Sequence, residues 1–295
     1  MRTVQPEVFL VARPSIDYGE LAGYLREVGG ESWLERLDRG DPASDAQNLA
    51  EFAGRLCYRS WEPGLNPNVS RVRSDQDGYL RNILGQLHGS VLEHVSFSFV
   101  LHNVTRVLTH ELARHRPGTA ISQESLRYVR LADIPFWFPE WARGDPELMK
   151  RATAMVEQME EFQRWMAEHF GLDQEGTPFR EKKHKTSFMR RFAPDGVATG
   201  LIWTANIRSL RHTIEARTDP GAAHQIKVIL EGLAARAVRY HDEHKLGIYK
   251  KAKLANVFKW KLTELGYSAD FVDRATKELA TRLAASRTQT KSAKP

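Results

Sequence analysis

The first apolar run along the chain is Val8, Phe9, Leu10 and Val11 in "EVFLVA", which predicts a short strand near residue 7. "YGELAGYLREVG" then takes up helical spacing and stops at Gly29-Gly30, where glycine ends a helix without steric cost. A polar stretch with Gly40, Asp41 and Pro42 leads to a second helix over roughly 45 to 58. "EPGLNPNVS" is a loop, and a helix over about 75 to 87 follows it. In "HVSFSFVLHN" the period changes to two. Val95, Phe97, Phe99 and Leu101 alternate with Ser96, Ser98, Val100 and His102, which predicts a half-buried strand. Asn103 is read as the cap of the next helix, "VTRVLTHELARHR". The apolar stripe of that helix is Val104, Val107, Leu108 and Leu112, with His110, Glu111 and Arg114 on a neighbouring polar face.

Pro117-Gly118 stops this helix, and "ISQESLRYV" reads as extended. Gln123, Ser125 and Arg127 would share one face, Glu124, Leu126 and Tyr128 the other. A long helix after Asp145-Pro146 carries Met155, Met159, Phe162 and Met166 at helical spacing, a stripe read as core. "FMRRFAPDGVATGLIWTAN" reads as helix end, turn and strand, with Asn206 capping the helix "IRSLRHTIEARTD". A longer helix over about 222 to 244 comes next, and the remaining residues read as helical before they fray. Strands and helices mix without regular alternation and without an internal repeat, which predicts an α+β fold rather than a doubly wound sheet.

Composition adds limits. A chain of 295 residues, 41% hydrophobic, can bury a real core. No apolar run is long enough to cross a bilayer, and "MRTVQPEVFLVARP" lacks the features of a signal peptide, so a cytoplasmic location is expected. The single cysteine, Cys57, excludes an internal disulfide. It is read as a small buried hydrophobe rather than a thiolate nucleophile, since no histidine lies near it in sequence. The net charge of +6 favours an anionic partner without choosing one. Part of the excess sits in "ASRTQTKSAKP", and residues 286–295 are expected to be disordered.

The chemistry concentrates in "RHRPGTAISQESLRY", residues 114–128. Arg114, His115 and Arg116 stand at a helix C-terminus, where the helix dipole favours cations in any case. Ser122, Gln123, Ser125 and Arg127 then add directed donors, and the arginine fork suits a phosphate. A second cluster is formed by Arg190, Arg191, Arg208, Arg211, His212 and Arg217. A third, "HGSVLEH", holds His88, Ser90, Glu93 and His94. Five of the eleven histidines fall between 88 and 115, but no HExxH or paired-cysteine pattern accompanies them, and no metal is expected. No glycine fingerprint of a dinucleotide fold or P-loop occurs. The residues alone describe a soluble α+β protein with Arg-rich sites for a phosphorylated small ligand.

"RHR…SQESLRY" resembles the signature of flavin-dependent thymidylate synthases. "HGSVLEHVSFSF" upstream and "IWTANIRSLRHTIEAR" downstream extend the resemblance over about residues 80 to 245, in the same order. It implies an α+β fold with a central, mostly antiparallel sheet flanked by long helices. It also implies one catalytic domain over 1–285, with N- and C-terminal extensions on the family core. The implied reaction is methylation of dUMP to dTMP, with carbon from methylenetetrahydrofolate and hydride from FAD reduced by NADPH, in a homotetramer whose sites are shared between subunits. By position, Ser90, Arg114, His115, Arg116, Gln123, Asn206, Ile207, Arg208 and His212 would contact FAD. Glu111, Leu112, Ala113, Arg114, Gln123, Glu124, Ser125, Leu126, Arg127 and Arg190 would contact dUMP. Arg217 would stabilise uracil ionised at N3 and is the implied catalytic residue.

The chain departs from the family at three points. Eight residues, Pro117 to Glu124, separate RHR from its serine, where seven are usual. Glu111 stands where Gln is common, and so lies near an anionic ligand unless Arg114 pairs with it. His212 replaces a frequent Asn. Two other functions remain open at this stage: a non-catalytic basic nucleic-acid-binding protein and a metal hydrolase. The first lacks interleaved exposed aromatics, an RNP pattern and a basic helix-turn-helix, so no stable nucleic-acid partner is expected, nor any membrane partner.

Overall fold

The computed structural model describes residues 1–37, 42–131 and 133–216, with residues 273, 276 and 277. Its elements follow in chain order: β1 (Arg2–Thr3), β2 (Glu7–Ala12), α1 (Tyr18–Val28), α2 (Glu31–Glu35), α3 (Pro42–Tyr58), α4 (Gln76–Gly85), β3 (Ser96–Thr105) and α5 (Arg106–Leu112). Then come β4 (Thr119–Gln123), β5 (Pro135–Phe136), α6 (Glu140–Arg143), α7 (Pro146–His169), α8 (Phe179–Met189), β6 (Ala198–Asn206) and α9 (Ile207–Ala216). Single 3-10 turns cover Gly89–His94 and Arg190–Phe192.

The apolar alternation of β3 builds the centre. β3 and β6 pair antiparallel, β2 and β4 add at the edges, and the order is β2-β3-β6-β4. Val8, Phe99, Leu101, Leu201, Trp203 and Ala205 turn to one face, and Leu108 and Leu112 of α5 cover them. β1 and β5 form a separate parallel pair. The fold is the expected α+β arrangement, an antiparallel sheet among helices.

Local caps explain most boundaries. Asp17 accepts from Gly19 and Glu20 at the start of α1, and Gly29 closes it at φ 74°. Asp145 accepts from the Leu148 N–H at the start of α7. Several expectations differ from the structure. Asn103 caps nothing. It sits at φ 56° in a bulge, where β3 spends three steps against two of β6, a conformation Asn tolerates. The strand therefore runs on, Val104 belongs to it, and Thr105 is the cap, accepting from the Leu108 N–H at 3.3 Å. Val107, expected on the apolar stripe, is exposed.

Extended structure also ends early after β4. The Ser125 carbonyl accepts from the N–H groups of Tyr128 and Val129, a turn that cancels the two-faced alternation beyond Glu124. On α7 the methionine stripe splits. Met166 is buried but Met155 is 62% exposed and Phe162 is exposed, while Val156, Glu160 and Gln163 face inward. Cys57 is exposed, because the buried face of α3 is taken by Ala50, Ala53, Glu51 and Arg55.

Candidate functional site

β6 organises the polar residues into two groups, one at each end of the strand. At its C-terminal end Asn206 caps α9, its Oδ1 accepting from the Ser209 N–H at 2.8 Å. The Asn206 N–H donates to the Gly118 carbonyl at 3.1 Å, and Ser209 Oγ donates to the Pro117 carbonyl at 2.6 Å. The turn after RHR is thus docked on the start of α9. Gly118 is required at this contact. Its φ is +67°, and a Cβ would lie 2.3 Å from Asn206 Nδ2 and 2.4 Å from Ser209 Oγ.

A cavity of about 620 Å³ opens beside this turn, lined by Glu93, Arg114, His115, Pro117, Gly118, Asn206, Arg208, Ser209, His212 and Thr213. Five residues expected at one ligand from separate segments, Arg114, His115, Asn206, Arg208 and His212, line it together. α5 stops at Leu112, and successive turns through Arg114 and His115 carry the two side chains past the helix end. The His115 and His212 rings meet edge-on at 5.5 Å. Arg208 pairs with Glu93, and Arg114 Nη1 lies 3.6 Å from Glu111 Oε1. These pairs are solvent-exposed, so an anionic ligand can replace the carboxylates at little cost. Glu111 is paired as its charge requires.

Not every expected residue reaches this cavity. Ser90 and Arg116 are exposed outside its lining, and Arg211, half-buried beside Arg208 and His212, also lies outside it. Ile207 packs on Ala53, Tyr79, Ile83, Val91 and Leu92.

The other group surrounds the N-terminal half of β6. Gln123 pairs with Leu201, and the Glu124 N–H donates to the Gly200 carbonyl. The Glu124 carboxylate turns onto β6, accepting from the Gly200 N–H at 2.9 Å and Thr199 Oγ1 at 3.4 Å. Ser125 Oγ accepts from the Arg127 N–H at 3.4 Å, and the Arg127 carbonyl accepts from Thr186 Oγ1 of α8 at 2.9 Å. Arg190 follows α8 directly. Leu112 is core, Leu126 packs against Leu131, Ile134, Val156 and Val197, and Ala113 is exposed.

Arg106 belongs to this group and was missed in the sequence. Its N–H donates to the Val197 carbonyl at 3.1 Å. Burial lowers its pKa from the usual arginine range; Asp195 acts the other way, and Arg190 adds to the lowering. Three donors here are buried without an acceptor: Arg106 Nη1, Arg127 Nε and Gln123 Nε2. Such a set is costly in an empty interior and suits an oxyanion. The sequence signal was a cation in the first turn of a helix, where the dipole opposes it.

Leu201, opposite Gln123, and Asn206 are five residues apart on β6, which at about 3.3 Å per step puts about 16 Å of strand between the two groups within one chain. Among the described residues no group of three or more His, Cys, Asp or Glu could hold a metal, and no helix is long and apolar enough to cross a membrane. Arg217, the expected helix over 222–244 and the tail over 286–295 lie outside the described residues.

Residues 41–240 match the family model Thy1, thymidylate synthase complementing protein. The flavin-dependent thymidylate synthase of Mycolicibacterium vanbaalenii is 35% identical over 187 residues, 61% of this chain and 70% of that protein. The flavin-dependent thymidylate synthase of Mycobacteroides abscessus is 33% identical over 199 residues, 65% of this chain and 75% of that protein. Among solved structures, a UMP/dUMP methylase PolB from Streptomyces cacaoi, bound with 5-Br UMP, is similar in fold. Its TM-score is 0.50 at 18% identity, covering 81% of this chain and 92% of that one.

Proposed function

The chain belongs to the Thy1 family of thymidylate synthase complementing proteins, and from that premise we propose that it is a flavin-dependent thymidylate synthase that methylates dUMP to dTMP. Methylenetetrahydrofolate supplies the carbon. FAD, when bound, supplies the hydride after reduction by NADPH. The observation that carries this reading is the meeting of Arg114, His115, Asn206, Arg208 and His212 at one cavity. Two guanidiniums, two imidazoles and the N-terminus of α9 suit the diphosphate of a dinucleotide.

At the other end of β6, Arg106, Gln123, Arg127 and Arg190 are the proposed ligands of the dUMP phosphate, with Ser125 as a hydroxyl contact. Ser125 Oγ meets the Arg127 N–H and no side-chain base among the described hydrogen bonds, so it binds rather than attacks. Arg217 is assigned to the pyrimidine. A guanidinium held there stabilises negative charge on uracil and makes C5 the carbon nucleophile. No protein thiol is then needed, and Cys57 lies in neither group.

Two features support a homotetramer with sites shared between subunits. The proposed flavin and nucleotide groups lie on different stretches of β6, about 16 Å apart in one chain. Apolar surface is also left open: Phe9, Val11 and Ile202 on the sheet, and Phe162, Trp165, Phe188 and Phe192 on α7, α8 and the turn after α8. A single catalytic domain over 1–285 and a cytoplasmic location complete the proposal. The test is an absorbance spectrum of the purified protein, followed by NADPH oxidation with and without dUMP. Bound flavin and dUMP-stimulated oxidation are expected. A protein that cannot take up FAD overturns the reading, and flavin-free DNA binding that survives moderate salt would favour the nucleic-acid alternative.

A further inference from the structure

A smaller cavity of about 190 Å³ shares no lining residue with the one described above. It lies between the end of α3, the loop that follows and α4, and Ser60, Arg71, Arg73, Tyr79, Asn82 and Gln86 carry its polar groups. Ser60 is 9% exposed and Tyr79 is 7% exposed, and their hydroxyls reach only each other, with no further partner among the described residues. A hydroxyl pair closed on itself leaves one O–H without an acceptor, which is costly on an interior wall unless something enters to meet it. Burial pushes the Tyr79 phenol up to about 12, against the opposing effects of Arg55 and Ser60, so it remains a donor at neutral pH.

The wall is rigidly built. Arg55, 1% exposed, donates from Nε to Glu51 at 2.6 Å and from Nη1 and Nη2 to the Ser60 and Arg73 carbonyls at 2.7 Å each. Its guanidinium lies 4.3 Å from the Tyr79 ring centre. Glu51 also accepts from Trp33 Nε1 and Gln76 Nε2. Arg55 is therefore a strut that holds the Arg71–Arg73 loop over Tyr79. Gly54 leaves room for the phenol, since a Cβ there would lie 2.7 Å from Tyr79 Oη. Arg71 and Arg73 are exposed at the mouth and form no ion pair with any described residue. No carboxylate lines the cavity among the described residues.

We infer that this cavity binds an oxyanion, a carboxylate or phosphate group, clasped by Arg71 and Arg73 with an inner oxygen accepting from Tyr79 and Ser60. The volume is below the roughly 300–1,000 Å³ of sites for drug-sized ligands, so only the anionic end of a molecule enters. The inference does not depend on the thymidylate synthase reading.

The test is calorimetric titration of the full chain, without flavin or dUMP, using inorganic phosphate in one arm and L-glutamate in the other. Millimolar or tighter binding of either is expected, and the arm that binds identifies the oxyanion. The Arg71→Ala/Arg73→Ala double variant, which changes only exposed side chains, should bind about tenfold more weakly or worse. Tyr79→Phe, which keeps the ring and its packing, should also lose about tenfold. The inference is overturned if neither anion binds, or if both variants bind as the unaltered protein does, which would place the anion at another arginine group.

Discussion

Arg106→Met separates stability from function at the nucleotide end. Methionine keeps an unbranched stem of comparable reach and removes the charge and the donors. In the folded protein burial disfavours the charged guanidinium, Asp195 offsets part of this, Arg190 adds to it, and Nη1 has no acceptor. An unmet buried donor costs about 1–3 kcal/mol, and because the side chain is only partly buried the recoverable part is about 1 kcal/mol. In a chain of this size that raises the melting temperature by about 2–4 °C. A charge-assisted hydrogen bond to phosphate contributes about 1.5–3 kcal/mol, so dUMP should bind roughly 10- to 150-fold more weakly. Thermal unfolding of the ligand-free protein and calorimetric titration with dUMP read the two effects separately. A variant that melts several degrees lower and binds dUMP with unchanged affinity would refute the reasoning.

Other outcomes follow from the same geometry. Gly118→Ala forces a Cβ against Asn206 and Ser209 at positive φ, and should cost about 1–3 kcal/mol and lower flavin content, read by melting temperature and the flavin-to-protein absorbance ratio. Arg217→Ala should retain FAD and lose dTMP formation; unchanged turnover would show that Arg217 is misassigned. Arg55→Met strands the buried Glu51 carboxylate and should cost about 3–5 kcal/mol in urea unfolding, only partly recovered in Glu51→Leu/Arg55→Met, which leaves Trp33 Nε1 without its acceptor. The hydrogen bond from Arg130 holds the Asp173 carboxyl below its usual range. Its stabilising contribution is therefore complete above the unfolded value of about 3.9 and is lost as pH falls through the lower folded value. Asp173→Asn should melt below the unaltered protein at neutral pH, and the difference should vanish in acid.

Much of the fold was legible because its signals are local. Gly29 ends α1, Asp145 starts α7 and Asn206 starts α9, each by chemistry confined to one turn. The period-two run of β3 likewise carries its own buried face. Asn103 and Thr105 show where this fails: both are good caps, and the choice was made by pairing with β6, which no window around residue 103 contains. α7 failed differently. Its inward face includes Glu160, which accepts from the Ile134 N–H, and Gln163, which donates to the Met189 carbonyl. Partners 26 residues away make these polar positions interior, and a hydrophobic stripe cannot register them. At the candidate site, motif spacing found the residues that meet at the larger cavity, whose members follow a cap, a turn and a helix face. Arg106 escaped because its burial, its neighbours Asp195 and Arg190 and its unmet Nη1 are set by packing with a distant part of the chain.

The claim on which the mechanism rests is that the flavin group and the nucleotide group meet only between chains. Co-expression of Arg208→Ala with Arg190→Ala, each inactive alone, tests it through dTMP formation by the mixed oligomer. Partial recovery of activity is the predicted result, because some mixed sites pair an intact flavin end with an intact nucleotide end. Mixed oligomers that form and remain as inactive as either parent would contradict it.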